Sequence, residues 1–328
     1  MKIVNLSIDA STICQLKCPE CSNTKGIIKN GIIGLGYLKL SDFKKLIHEN
    51  PEIRNIELSN WGEIFLNPEL VKILECSFQH GIKLSAGNGV NFNDVSEVVI
   101  ESLVKYQFRY INFSIDGASQ KSYGAYRVNG HYSRVISNIK KLNYYKKKYR
   151  SVLPKLSWQF IVFGHNEHEI LAAKKLSDEL NMVFVPKLNF SSFSPVINTE
   201  QVKREAGLVA VSRTEYKKLT KKDYKRPCCQ FWHSPQVSWD GKVLGCCVNK
   251  WKSYGNAFSD GLNPVLENDL YLKTLDVLRG FKTIDDSIPC YSCPTFKTIE
   301  DNPITQDEIK EFSNFIHPAE RETEKIQE

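Results

Sequence analysis

Several features are missing from this chain of 328 residues, and each absence excludes something. No apolar run approaches the ~20 residues that span a bilayer, so no transmembrane helix is expected. The opening stretch, MKIVNLSIDASTICQ, has no basic start followed by an apolar segment and a small-residue cleavage site, which argues against a secretory signal and for a cytoplasmic location. In that reducing compartment the ten cysteines are not expected to pair as disulfides. There are no internal repeats and no low-complexity tract. The first strand signal begins at the first residues, so no fused N-terminal domain is expected. The last absence is local. Cys14, Cys18 and Cys21 crowd into eight positions, and the next cysteine is Cys76, so a zinc knuckle closed within one loop is not available.

What is present is the composition of an ordinary globular protein, 41% hydrophobic with a formal charge of +7. The most visible source of that charge is KKLNYYKKKYR (140 to 150), whose plain reading is the solvated face of a helix. Through the first ~190 residues, β-branched apolar runs alternate with amphipathic stretches. KIVNLSID, IRNIELS, IKLSAG, YINFSID, LSWQFIVF and MVFVPKL read as strands. SDFKKLIHEN with Ser41 as N-cap, PELVKILECSFQH between Pro68 and Gly81, DVSEVVIESLVKY, YSRVISNIKKLNYYKKKY and EHEILAAKKLSDEL read as helices. Six strands, each followed by a helix, imply a parallel α/β sheet with right-handed crossovers.

The unusual residues choose between an open sheet and a barrel. The cysteines follow strand one, WGE strand two, GNG strand three, DG strand four and GHNE strand five. Chemistry gathered at the ends of many successive strands is the barrel arrangement, so a partial (β/α)6 TIM-like barrel is expected over 1–211. The glycines of GIIGLG (31 to 36) follow the cysteine loop rather than a strand and lack dinucleotide-loop spacing. A second cysteine set lies in 212–300, where PQVSWDG and KVLGCCV read as a β-hairpin turning at Asp240-Gly241, and 301–328 reads as a charged tail or terminal helix.

Three thiolates suit a [4Fe–4S] cube that leaves one iron without a protein ligand, and an open coordination position is a catalytic feature. The spacing CX3CX2C after the first strand resembles the radical S-adenosylmethionine superfamily. The resemblance implies that S-adenosylmethionine binds the open iron and yields a 5′-deoxyadenosyl radical that abstracts hydrogen from substrate. NWGEIFLNPEL resembles the superfamily's Gly-Gly-Glu motif, with Trp61 in place of the first glycine, then Gly62, and Glu63 as acceptor for the methionine ammonium. INFSIDG is similar to the strand-four signature, which brings Ser114 and Asp116 near the ribose and methionine, and Arg127 in YRVNGHYSRVISNI is the implied partner of the methionine carboxylate. A strand-end cap and a surface arginine are the alternative readings. Asn88 and Asn166 match polar positions lining the site, or serve as turn residues. One departure concerns adenine: Glu20 stands where an aromatic residue often precedes the third cysteine.

CCQFWHSPQVSWDGKVLGCC, followed about forty residues later by CYSC, resembles the auxiliary-cluster modules called SPASM and twitch. The implied ligands are Cys228, Cys246, Cys290 and Cys293, with Cys229 as the alternative to Cys228. No cysteine follows the last pair, so a single auxiliary cluster is expected, making two [4Fe–4S] clusters in all. A structural zinc ribbon is the competing reading of these four, and Cys247 is either packed beside the cluster or a hydrogen donor to substrate. The expected reaction is oxidation or rearrangement at a carbohydrate or cyclitol C–H bond, served by a flavodoxin- or ferredoxin-type reductant. Ribosomal-peptide modification or epimerisation is the alternative, and a non-enzymatic iron–sulfur or zinc protein binding RNA is a distant one. Neither membrane nor nucleic acid is an expected partner.

Overall fold

The structure is a computed structural model, described here for residues 3–313 and 317–321. All six expected strands are present: β1 (Asn5–Ile8), β2 (Asn55–Glu57), β3 (Lys83–Val90), β4 (Tyr110–Ser114), β5 (Lys155–Ile161) and β6 (Val183–Lys187). Two short strands follow, β7 (Gln236–Val237) and β8 (Val243–Gly245). Compactness divides the chain into two units. Of the described residues, the first unit holds 3–13, 26–85 and 227–313; the second holds 14–25, 86–226 and 317–321.

In the first unit the strand order is β3-β2-β1-β7-β8. β1 pairs in parallel with β2 through Leu6 and Ile56, and β2 with the start of β3 through Ile56 and Leu84; all three side chains are buried. β7 and β8 form the expected antiparallel hairpin, in which the amide of Gly241 donates to the Ser238 carbonyl. Gly241 has φ +89°, and a Cβ there would stand 2.4 Å from Asn256 Oδ1, so this turn position needs glycine twice over. The hairpin also does something the local pattern did not disclose. β7 lies parallel against β1, pairing Ile8 with Val237, so the C-terminal segment extends the sheet. The glycine run of 31 to 36 has a packing role as well: a Cβ on Gly36 would lie 2.5 Å from the Trp239 ring, whose Nε1 donates to the Ile33 carbonyl.

In the second unit β6, β5 and β4 continue in parallel order toward the later part of β3. Trp158, Phe113 and Phe160 fill its core, and Trp158 Nε1 is satisfied by the Ile115 carbonyl. The helices fall where periodicity placed them, including Leu40–Glu49, Leu70–Gln79, Glu97–Lys105, Tyr132–Lys148 and Ile170–Glu179. Ser41 is a correction. The first of these helices has Lys39 as its N-cap residue, and the amide of Leu40 is capped by Glu69 Oε2 at 2.8 Å. The charged tail contains the helix Gln306–Ser313 and the short helix Pro318–Arg321.

Candidate functional site

The cysteine loop leaves β1 and folds with the second unit. Its half-buried Cys14 and Cys21 and its buried Cys18 pack with Leu16 against Tyr126, Ile161, Phe163 and Phe193, so the thiols sit on an apolar floor at the C-terminal end of β5. Polar groups then reach two of the sulfurs. Asn91 Nδ2 donates to Cys14 Sγ at 3.7 Å, and Arg127 Nη1 donates to Cys18 Sγ at 3.7 Å. Burial pushes the Cys18 thiol up, and the Arg127 charge pulls it back toward the thiolate that a metal would require.

Arg127 is not the surface arginine of the alternative reading. Its Nε and Nη2 both lie 2.7 Å from Asp116 Oδ2, and Asp116 is fully buried. Burial raises the Asp116 carboxyl above its ordinary range, while Arg127 and the Ile161 amide, at 2.7 Å from Oδ1, oppose that rise. Asn166, also fully buried, accepts from the Phe163 amide and donates to the carbonyls of Ile161 and Asp116. Asp116 and Asn166 therefore orient Arg127 and the strand ends, and their polar atoms are spent on protein. Ser114 is buried beside Gly89, where a Cβ would approach Ser114 Oγ to 2.3 Å. Asn88 is exposed on β3, whereas Asn91, three residues on, is the asparagine that meets Cys14 and Gln15. Asn91 was missed because its partners are more than seventy residues away in sequence. Glu20 forms a surface ion pair with Lys25 at 2.6 Å.

Gly62 and Glu63 belong to the first unit. A Cβ on Gly62 would lie 2.3 Å from the Ser11 carbonyl oxygen and 2.7 Å from the Thr12 backbone, so only glycine permits this approach to the chain leading into Cys14. The Glu63 amide donates to Ile13 O, its carboxylate accepts from Phe65 N at the start of the turn Ile64–Leu66, and the side chain is buried. Behind this loop, Asp9 at the end of β1 accepts from the Trp61 amide and from Gln236 Nε2, each at 3.2 Å. Its complete burial pushes the carboxyl up to about 7.

The second cysteine set lies within the first unit. Cys228, Cys246, Cys290 and Cys293 line one cavity together with Phe231, Trp251 and Phe296. Cys229 and Cys247 are not among its lining residues, although Cys247 adjoins Cys246 and its amide donates to Gln230 Oε1. The order of elements explains the convergence: Cys228 sits in the turn Pro227–Cys229, Cys246 follows β8, Cys290 lies in the turn Pro289–Ser292 and Cys293 follows it. Gly245 (φ +78°) lets the chain press on Phe231, where a Cβ would approach the ring to 2.2 Å. Burial, and then the neighbouring sulfurs of Cys228, Cys247 and Cys290, drive the Cys246 thiol well up; burial and Cys293 push Cys290 to about 12. Crowded buried thiols repel one another as thiolates, and a bound cationic centre removes that penalty. The donor set thus fits a metal cluster, and all ten cysteines are free. Among the described residues no three His, Cys, Asp or Glu side chains converge as a single metal ion needs.

No protein-family model matches the chain, and comparison with curated proteins finds no match. Comparison with solved structures does. The chain is similar to Streptococcus suis SuiB bound to S-adenosylmethionine, with TM-score 0.60 and 15% identity over 90% of this chain and 71% of that one. SuiB bound to its precursor peptide SuiA matches with TM-score 0.59 and 16% identity, over 90% and 70%. BtrN in complex with AdoMet and 2-DOIA matches with TM-score 0.50 and 13% identity, over 85% and 90%. Among the described residues no helix is long and apolar enough to cross a membrane. The chain thus shares its fold, a mostly parallel α/β sheet with helices between the strands, with these structures solved in complex with S-adenosylmethionine.

Proposed function

We propose that this protein is a radical S-adenosylmethionine enzyme. When bound, a three-cysteine [4Fe–4S] cluster with S-adenosylmethionine supplies a 5′-deoxyadenosyl radical that removes hydrogen from a substrate C–H bond, and a second, fully ligated cluster supplies electron transfer. The observation that carries the reading is the loop of Cys14, Cys18 and Cys21 at the end of β1, with Asn91 and Arg127 donating to two of its sulfurs. Charge-assisted donation from Arg127 favours the thiolate form of Cys18, and Asp116 and Asn166 hold Arg127 in place. Glu63 is assigned to the methionine ammonium, with Gly62 allowing the close backbone approach that sets its loop. Cys228, Cys246, Cys290 and Cys293 are assigned to the auxiliary cluster. Their shared cavity supports Cys228 over Cys229 as the first ligand, and Cys247, next to Cys246 in the chain, is the proposed hydrogen donor.

Oxidation at a hydroxylated carbon of a carbohydrate-like molecule is the first reading of the substrate. The similarity to BtrN, solved with 2-DOIA and matched over 90% of its length, supports it. A peptide substrate is the second, supported by the higher similarity to SuiB, solved with SuiA. A cytoplasmic flavodoxin- or ferredoxin-type protein is the proposed reductant. Anaerobic reconstitution tests the assignment. The chain should bind about eight irons, and the variant with alanine at Cys14, Cys18 and Cys21 about half of that. The reduced wild type should release 5′-deoxyadenosine, and that variant should release none. Zinc in place of iron at the second set, or full turnover by the triple variant, would overturn it.

A further inference from the structure

The basic run of 140 to 150 divides its charges between two faces of the helix Tyr132–Lys148. Lys141 pairs with Glu97 at 3.0 Å and Lys148 with Glu101 at 2.9 Å, seven residues apart and therefore on one stripe. Lys140, Tyr144 and Lys147 share the neighbouring stripe, and no acidic partner meets either lysine among the described residues. That second stripe forms one wall of an open groove of about 1030 Å³, which Lys146, Arg150, Val152, Lys155 and Met182 also line. Asp178 is the single acidic side chain along it. Five cations thus face one carboxylate.

The groove floor makes the imbalance costly. Lys146 and Lys155 are half-buried, and burial, followed by the charge of Lys155, lowers Lys146 to about 8. Burial lowers Lys155 as well, and the acidic residue acting on it, Glu320, is already paired with Arg109. Two half-buried ammonium groups side by side, with Glu320 already engaged by Arg109, are relieved by an anion brought from outside. Tyr144 and Val152 stand 63% and 69% exposed on the rim, so the ligand is offered apolar surface beside the charge. Lys155 begins β5, whereas Ile161 at its other end packs against the cysteine loop, which puts the groove roughly 20 Å from that loop at ~3.3 Å per residue. A small substrate cannot touch both.

We propose that this groove binds an acidic stretch of polypeptide, with Lys146 and Lys155 taking its carboxylates and Tyr144 and Val152 its apolar side chains. Mixed charge and apolar surface favours peptide over the evenly spaced phosphates of nucleic acid. The inference concerns binding alone and is independent of the reaction proposed above; if it holds, it strengthens the peptide reading of the substrate. The test is fluorescence anisotropy on the full-length chain with a labelled peptide of alternating glutamate and valine, its glutamine counterpart and an oligothymidylate. The acidic peptide should bind at least about tenfold tighter than either control, and weaken as salt is raised. Lys146→Glu with Lys155→Glu should abolish binding. Lys140→Gln with Lys147→Gln and Arg150→Gln, all on the exposed rim, should weaken it several-fold while circular dichroism is unchanged, which keeps the test decisive if the floor variant misfolds. Equal binding of the glutamine peptide, tighter binding of the oligonucleotide, or a rim variant indistinguishable from wild type would each overturn the proposal.

Discussion

Asp9 is the buried carboxylate on which the loop of Trp61, Gly62 and Glu63 leans, and its energetics can be separated from those of the cysteines. Its folded-state pKa of about 7 stands above the ordinary 3.8, so the folded chain holds a proton that the unfolded chain releases between those values. The stability so gained is complete in acid below about 4 and is lost as pH rises through about 7. Its full size is on the order of 4 kcal/mol. Asp9→Asn should therefore flatten the fall in melting temperature between pH 5 and pH 8 and be the more stable form at pH 8. Parallel pH curves for variant and wild type would show that Asp9 does not carry the effect.

Among the elements, helix starts separate what local sequence reveals from what it hides. Ser96 caps the helix Glu97–Lys105, its hydroxyl accepting from Val99 N at 3.3 Å. Ser41 reads as a cap in the sequence, but the carboxylate that caps its helix comes from Glu69, which accepts from the Leu40 amide twenty-nine residues before it. Ser96→Ala should thus cost about 1 kcal/mol in a denaturant titration and Ser41→Ala nearly nothing. Equal losses at the two sites would contradict this account of the two helix starts. The same distinction runs through the rest of the chain. Strands β1 to β6 were legible because each is an apolar run set off by turn residues. The pairing of β7 with β1 was not, because it joins segments more than two hundred residues apart. At the site, the cysteine spacings were legible, as was Gly62. The Asn91 contact with Cys14 and the engagement of Arg127 by Cys18 and Asp116 were not, because they exist only after folding. Local sequence offers no choice between the adjacent thiols Cys228 and Cys229, of which Cys228 lines the cavity.

At the scale of the whole molecule, two groups of cysteines have been gathered into two different settings. One is a loop of three with polar donors on two sulfurs, packed on an apolar floor. The other is a closed set of four around a cavity walled by aromatic side chains. Three ligands would leave a cluster open to a small molecule and four would suit one to electron transfer, and that is the proposed division of labour. It is tested most directly by Mössbauer spectroscopy of the anaerobically reconstituted full-length chain before and after S-adenosylmethionine is added. The account predicts that the signal of one iron in the three-cysteine cluster changes on addition while that of the four-cysteine cluster does not. A spectrum that S-adenosylmethionine leaves unaltered would contradict it.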